Sequence, residues 1–370
     1  MPGLRQRARL ALVAGSAIAL AACATASTVP ADQSTAAQPA TPDGRHYLSQ
    51  PLVSSLYFAD PSAHVFNGKI YVYPSHDVKT DIPDDDLGSE YAMHDYRVLE
   101  MDRIGRSVNV GPVALDVKDV PWAAKQMWAP DAAYKNGTYY LYFPARDPNN
   151  VFRIGVATST SPTGPFKAEP KPIDGAYSID PAVFTDDDGS SYMYFGGIWG
   201  GQLERWVSGS FDPNGSDTDL HQDDQPALTA KMAKLSPDMK HFAEPTRDVV
   251  ILDTNGKPVL GGDHDKRFFE ASWMFKRAGK YYFTYSTGDT HFLAYATGDN
   301  PYGPFTYQGH FLLPVQGWTT HHSIVQWDGK WWLFYADTQL SNTNSLRDVK
   351  VTELHFNPDG TIQPVDPFTR

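Results

Sequence analysis

The 370-residue chain has one cysteine, Cys23, so no disulfide can close within it. Basic residues are in the minority, 31 Lys and Arg against 43 Asp and Glu. The resulting net charge of −12 argues against a nucleic-acid partner, whose phosphates call for Lys and Arg. Long apolar runs are missing too. Beyond the first two dozen residues no stretch could span a membrane, and no long amphipathic helical period runs through the body. Aromatic residues are plentiful, with 20 Tyr, 19 Phe and 9 Trp. Such residues favour β-strands and also stack on flat apolar faces such as those of sugar rings. The length suits two average domains or one large all-β domain.

The lone cysteine stands at an informative place. Arg5, Arg7 and Arg9 precede an apolar run over residues 10–22, the charged and hydrophobic regions of an export signal. Leu20-Ala21-Ala22-Cys23 is similar to a bacterial lipobox, whose cysteine is lipidated and becomes the new N-terminus. An ordinary cleavable signal with an incidental cysteine is the alternative. Ala24, in place of Asp, points to the outer membrane in a Gram-negative cell. The expected organisation is a lipoprotein signal over 1–23, an Ala/Thr/Ser/Pro/Gln-rich flexible tether over 24–45, and a folded domain over 46–370. The protein is expected to be exported to the periplasm or cell surface, touching membrane only through its lipid.

The body repeats itself five times, at 60–73, 129–143, 180–195, 270–285 and 321–335. Each unit is a short apolar strand, a polar turn and an alternating aromatic strand. The turns hold Asn67-Gly68, Asn136-Gly137, Asp188-Gly189, Ala278-Gly279 and Asp328-Gly329, residue types that mostly accept the positive φ of tight hairpins. Segments 156–166 and 295–305 also repeat and read as third strands with their turns. Residues 97–101 and 349–354 take that part in the first and last units. One such sheet cannot bury both faces, whereas five packed around an axis can. The expected fold is an all-β, five-bladed β-propeller.

The first strand of each blade lines the central channel of a propeller. Counting back eight residues from the turn glycine reaches Asp60, Ala129 and His321. Counting back nine in units three and four, whose turns look one residue longer, reaches Asp180 and Glu270. Four of these five positions are ionisable, and three acids converging in a channel are costly without a function. Converging carboxyls suit glycoside hydrolysis, where one protonated acid serves the leaving oxygen and one carboxylate works on the other side. Phe268, Phe269 and Trp273 flank Glu270. An apolar setting and nearby negative charge raise a carboxyl pKa, so Glu270 is the expected general acid. Spacing alone does not separate the roles of Asp60 and Asp180.

The motifs ADPSAHVFNGKIYVYPSHD around Asp60, MWAPDAAYKNGTYYLYF around Trp128, SIDPAVFTDDDG around Asp180, FFEASW around Glu270 and HHSIVQWDGKWWLFYAD around His321 resemble those of glycoside hydrolase family 43. These are five-bladed propellers acting on xylan and arabinan side chains. The resemblance covers roughly residues 50–355. It implies an inverting mechanism with Asp60 as general base, Glu270 as general acid and Asp180 tuning the pKa of Glu270. Inversion in turn implies Asp60 and Glu270 carboxyls about 6.5–9.5 Å apart. It also implies a channel ion, commonly calcium, near His321, with His322 as second choice or else a packed neighbour, and with water supplying most ligands. No organic cofactor is implied. For substrate contact the candidates are Trp128, either a sugar platform or a core residue; Arg347, matching an arginine near the bound sugar; and His76, at a strand end beside Asp77. The acidic run 81–86 reads as a solvated loop.

The expected activity is exo-acting release of xylose or arabinose from xylo- and arabino-oligosaccharides, β-xylosidase before α-L-arabinofuranosidase, or both. A non-catalytic sugar-binding propeller would not need both Asp60 and Glu270. A fructan-cleaving propeller would carry a Trp-Met-Asn-Asp-Pro pattern that is absent around Asp60.

Overall fold

The structure is a computed structural model that describes residue 41, residues 44–206, 209–218, 222–318 and 321–369, and the strand Ser27–Val29. The leader, Cys23 and most of the tether lie outside the described residues. Within the tether, Ser27–Val29 pairs antiparallel with Val108–Val110 at the edge of the first blade.

Five antiparallel sheets form a ring, the expected five-bladed β-propeller. Blade I comprises Tyr57–Phe66, Lys69–Asp77, Asp95–Met101 and Val108–Asp116. Blade II runs from Asp131–Lys135 through Thr138–Arg146 and Phe152–Ser159 to the short Lys167–Ala168. Blade III has Ala182–Thr185, Ser191–Phe195, Lys231–Lys234 and Arg247–Asp248. Blade IV has Glu270–Arg277, Lys280–Ser286, Leu293–Gly298 and Phe305–Leu312. Blade V has only His322–Trp327, Lys330–Asp337 and Asp348–Leu354. The chain closes the ring where Ala63 N donates to Ser323 Oγ at 2.9 Å, joining the first strands of blades I and V. The residues before blade I run along blade V, with Leu52 N donating to Val349 O and Phe58 N to Arg347 O. A two-stranded ribbon, His46–Tyr47 with Phe368–Thr369, ties the two ends together.

Four inner hairpins turn through two residues that both have φ near +50° to +83°: Asn67-Gly68, Asn136-Gly137, Ala278-Gly279 and Asp328-Gly329. That geometry matches the twist of the flanking strands, and Asn, Asp and Gly tolerate it best. Blade III alone has a longer turn, closed by Asp186 N donating to Ser190 O. The 156–166 and 295–305 repeats lock neighbouring blades. The buried Tyr73 hydroxyl of blade I donates to Pro162 O of blade II, and Tyr194 of blade III donates likewise to Pro301 O of blade IV, each at 2.7 Å. An aromatic can thus fill the gap between blades without stranding its polar end.

Candidate active site

Asp60, Ala129, Asp180, Glu270 and His321 all line one cavity of about 420 Å³ at one end of the ring. The size is that of a small-ligand site. The expected convergence is therefore observed, but the count behind Glu270 needs correction. The turn of blade IV is the ordinary two-residue one. Blades IV and I carry the same β-bulge at the same place, between Glu270 and Trp273 and between Ala59 and Ser62, so blade IV has no extra residue and Glu270 is the equivalent of Ala59. Counted from the hairpin, Ala271 corresponds to Asp60, and Glu270 stands one position earlier. The backbone agrees: Asp60, Asp180 and Ala271 have φ of +51°, +55° and +63°. A bulge re-aims the side chains beside it, and left-handed backbone at non-glycine residues is strain of the kind held at functional sites.

Asp60 is held at both oxygens. Ser75 Oγ donates to Oδ2 at 2.6 Å and Arg347 Nη1 to Oδ1 at 2.7 Å. Asp77 holds the rest of that guanidinium, accepting from Nε at 2.9 Å, from Nη2 at 2.8 Å and from the Arg347 backbone N–H at 2.8 Å. Asp60, Asp77 and Arg347 are all buried. Burial pushes the Asp77 carboxyl up and the Arg347 charge opposes it. Asp180 Oδ2 accepts from Ala271 N at 2.9 Å, so the blade IV bulge also fixes the blade III acid.

The remaining acid is set apart electrostatically. Burial first, and the Asp60 charge second, push the Glu270 carboxyl up to about 8, with Arg347 pulling the other way. Asp180 is raised too, by burial and then by Glu270 and Asp60. Acids this close do not all ionise together. Phe269 walls the apolar side of Glu270, and its own room is made by Gly288, where a Cβ would meet the Phe269 ring at 2.1 Å.

His321 completes the floor, its Nδ1 lying 3.8 Å from Asp60 Oδ1 and 3.7 Å from Asp180 Oδ2. Burial lowers its pKa to about 4, which leaves the ring neutral and able to offer a lone pair. Among the described residues no three His, Cys, Asp or Glu side chains are arranged to hold a metal. The donor set fits only an ion that keeps most of its water around one imidazole. His322 is no substitute. It is fully buried, its Nε2 hydrogen-bonded to Thr284 Oγ1 at 2.6 Å and its ring edge-on to Phe311.

Trp128 lines the cavity, oriented by Nε1 donating to Tyr91 O at 2.8 Å and covered by Gly88, whose Cβ would touch it at 2.7 Å. Arg347 lines it as well. His76 does not: its Nδ1 is hydrogen-bonded to Asp95 at 2.6 Å and its ring packs on Phe58. Its neighbour Asp77 is the one that serves the site. Part of the acidic run, Asp84–Asp86, is exposed yet borders the cavity. Trp199, Trp318 and Asn344 also line it, and sequence reasoning missed them because they stand in connections rather than at repeat positions. The Trp between two Gly-rich pairs, GGIWGG at 196–201, was the available signal. Arg146 pins the wall, its guanidinium donating to Asn150 O at 2.9 Å, Gly200 O at 3.3 Å and Leu87 O at 3.5 Å.

Known proteins carry the same architecture. The family described as Glycosyl hydrolases family 43 matches residues 50–362. Xylosidase/arabinosidase 43A of Humicola insolens is 55% identical over 326 residues, spanning 84% of this chain and 98% of that protein. The β-xylosidase of Xylanibacter ruminicola is 50% identical over 317 residues, 84% of this chain and 97% of its own. The crystal structure of CoXyl43, a family 43 β-xylosidase/α-arabinofuranosidase from a compost metagenome, in complex with xylotriose and in a calcium-free form, superposes with a TM-score of 0.86. It is 58% identical and covers 88% of this chain and 100% of that one. By sequence, by fold and by the carboxyls at its centre, this chain belongs to glycoside hydrolase family 43 and is a glycoside hydrolase.

Proposed function

We propose that the protein is an inverting, exo-acting β-xylosidase that also releases α-L-arabinofuranose, working on xylo- and arabino-oligosaccharides. The observation that carries the mechanism is the division of labour on the cavity floor. Glu270 is held protonated up to about pH 8, while Asp60 is paired with a guanidinium. Glu270 gives its proton to the glycosidic oxygen as the bond breaks, and Asp60 takes a proton from a water attacking the opposite face of the sugar. Asp180, sharing the floor and itself raised by burial and by the charges of Glu270 and Asp60, titrates together with Glu270 and so tunes its pKa. Arg347 and Trp128 contact the sugar from the Asp60 side. The names of Xylosidase/arabinosidase 43A and of the compost β-xylosidase/α-arabinofuranosidase support the dual specificity.

Calcium on His321, when bound, would supply positive potential beneath the sugar; the neutral imidazole and the calcium-free description of the compost relative's structure support this. Export and lipidation at Cys23 complete the proposal and rest on the leader sequence.

The test is hydrolysis of p-nitrophenyl β-D-xylopyranoside and α-L-arabinofuranoside in parallel by the domain from residue 46 on, with Asp60→Ala beside it. Release of nitrophenol from either sugar, abolished by Asp60→Ala, is expected. Folded protein silent on both sugars, or activity untouched by Asp60→Ala, would overturn the assignment.

A further inference from the structure

The cavity carries far more negative than positive groups. Besides the three acids of its floor, Asp84, Asp85, Asp86 and Glu90 line it, and Arg347 is the only lysine or arginine among its described lining residues. That guanidinium is already committed to Asp60 and Asp77. His321 is kept neutral, its pKa lowered by burial to about 4. Recognition of a carboxylate calls for a cation that can face it, usually a forked Arg, and the charge here is spent on the protein's own acids.

The excess gathers at the mouth. Asp84, Asp85 and Asp86 are exposed and yet border the cavity, which puts them on its rim. Their loop is fastened on both sides. Gly88 carries it over Trp128, where a Cβ would touch the indole at 2.7 Å, and Gln126 Nε2 donates to Gly88 O at 2.9 Å. Toward Trp199, a Cβ on Gly200 would meet Leu87 O at 2.6 Å, and Arg146 Nη2 donates to Leu87 O at 3.5 Å and to Gly200 O at 3.3 Å. Within the loop, Asp85 Oδ1 accepts from Leu87 N at 2.8 Å and from Ser89 N at 3.0 Å, and the hydrogen bonds from Ser89 hold its carboxyl below the ordinary value. The buried Glu90 accepts from Asp85 N at 3.4 Å. The rim charges thus stand at fixed places beside the cavity. Charges lining a cleft act on any charged ligand that approaches it, while a neutral sugar is indifferent to them.

We propose that the Asp84–Asp86 loop is a charge filter: it turns away xylo-oligosaccharides that bear uronic acid groups and admits neutral ones. A hydrolysis that removes uronosyl side chains must then come before this enzyme's step. The inference rests on the xylosidase reading and adds the substrate's charge to it. Repulsion across a wet rim is modest for each carboxylate and is screened by salt, so the filter should be visible as a salt-dependent preference.

The test uses two oligosaccharides of the same shape. One is xylobiose with an α-1,2-linked glucuronosyl group on its leaving xylose; the other is its carboxyl-reduced, glucosyl counterpart. Plain xylobiose runs beside them. Values of kcat/KM are measured at low and high salt for the wild type and for Asp84→Asn combined with Asp86→Asn, and the readout is the ratio between the two branched substrates within each protein. The wild type should favour the neutral one about fivefold at low salt. High salt, or the double substitution, should bring the ratio within about twofold. Equal rates on the branched pair in the wild type, or a preference that neither salt nor the substitutions move, would overturn the filter. So would cleavage of xylobiose with both branched substrates untouched, which would assign the exclusion to shape. A folded wild type inactive on xylobiose itself would instead overturn the glycosidase reading, and this inference with it.

Discussion

Glu270 offers the sharpest quantitative handle on the mechanism. A carboxyl with the ordinary value of 4.5 would be protonated in only ~0.3% of molecules at pH 7, whereas one pushed up to about 8 is protonated in ~90%. Burial and the Asp60 charge thus raise the competent fraction roughly 300-fold. An acid works only while it holds its proton, so kcat/KM on xylobiose should be sustained through neutrality and fall as pH rises through about 8. Glu270→Gln should remove that alkaline limb and lower kcat/KM on xylobiose by ~10²–10⁴-fold. The loss on p-nitrophenyl β-D-xylopyranoside should be much smaller, because nitrophenolate leaves with little help. Initial rates from pH 4 to 10 on both substrates, for wild type and variant, make the assay. An alkaline limb that survives in Glu270→Gln, or equal losses on both substrates, would refute the assignment of the acid.

Two further outcomes test the electrostatic frame around the floor. Asp77→Asn should cost about 3–5 kcal/mol of stability, read from urea denaturation, because it leaves the buried Arg347 guanidinium short of its main partner; a cost below 1 kcal/mol would show that Arg347 needs no such anchor. In blade V, burial first and the neighbouring Asp337 second push Asp348 up to about 8, beside the fully buried Lys350. The folded chain then keeps a proton that the unfolded chain releases near 3.8, so this group's contribution to stability drains away as pH rises between those values. Asp348→Asn should therefore raise the urea midpoint relative to wild type at pH 8 and change it little at pH 4, and an equal shift at both would count against the coupling.

Much of the fold was legible because a propeller writes its architecture locally. Turns such as Asn67-Gly68 and Asp328-Gly329 mark each inner hairpin, the aromatic second strands show its alternation, and five copies demand a ring. The same register led to Asp60, Asp180 and His321 directly. It reached Glu270 through an offset wrongly credited to the turn. Glu270 stands one position before the equivalent of Asp60, and it is the bulge beside it, unmarked in the sequence, that lets both positions border the cavity. For His322 and His76 the sequence left two readings open, site residue or packed neighbour, and the packing against Phe311 and Phe58 chose the second, because a residue's side of the blade depends on what surrounds it.

The chain by itself determined the class, the five repeats, the axial acids and the family. These follow from local hydrophobic period, turn chemistry and a residue count within each hairpin. Only the tertiary structure decided that Asp77 anchors the arginine gripping Asp60, that the Ala271 N–H fixes Asp180, and that Trp199 and Trp318 share a wall. Burial, charge proximity and ring stacking arise between connections far apart in sequence, brought together when five blades close on one axis, and no local pattern encodes those distances.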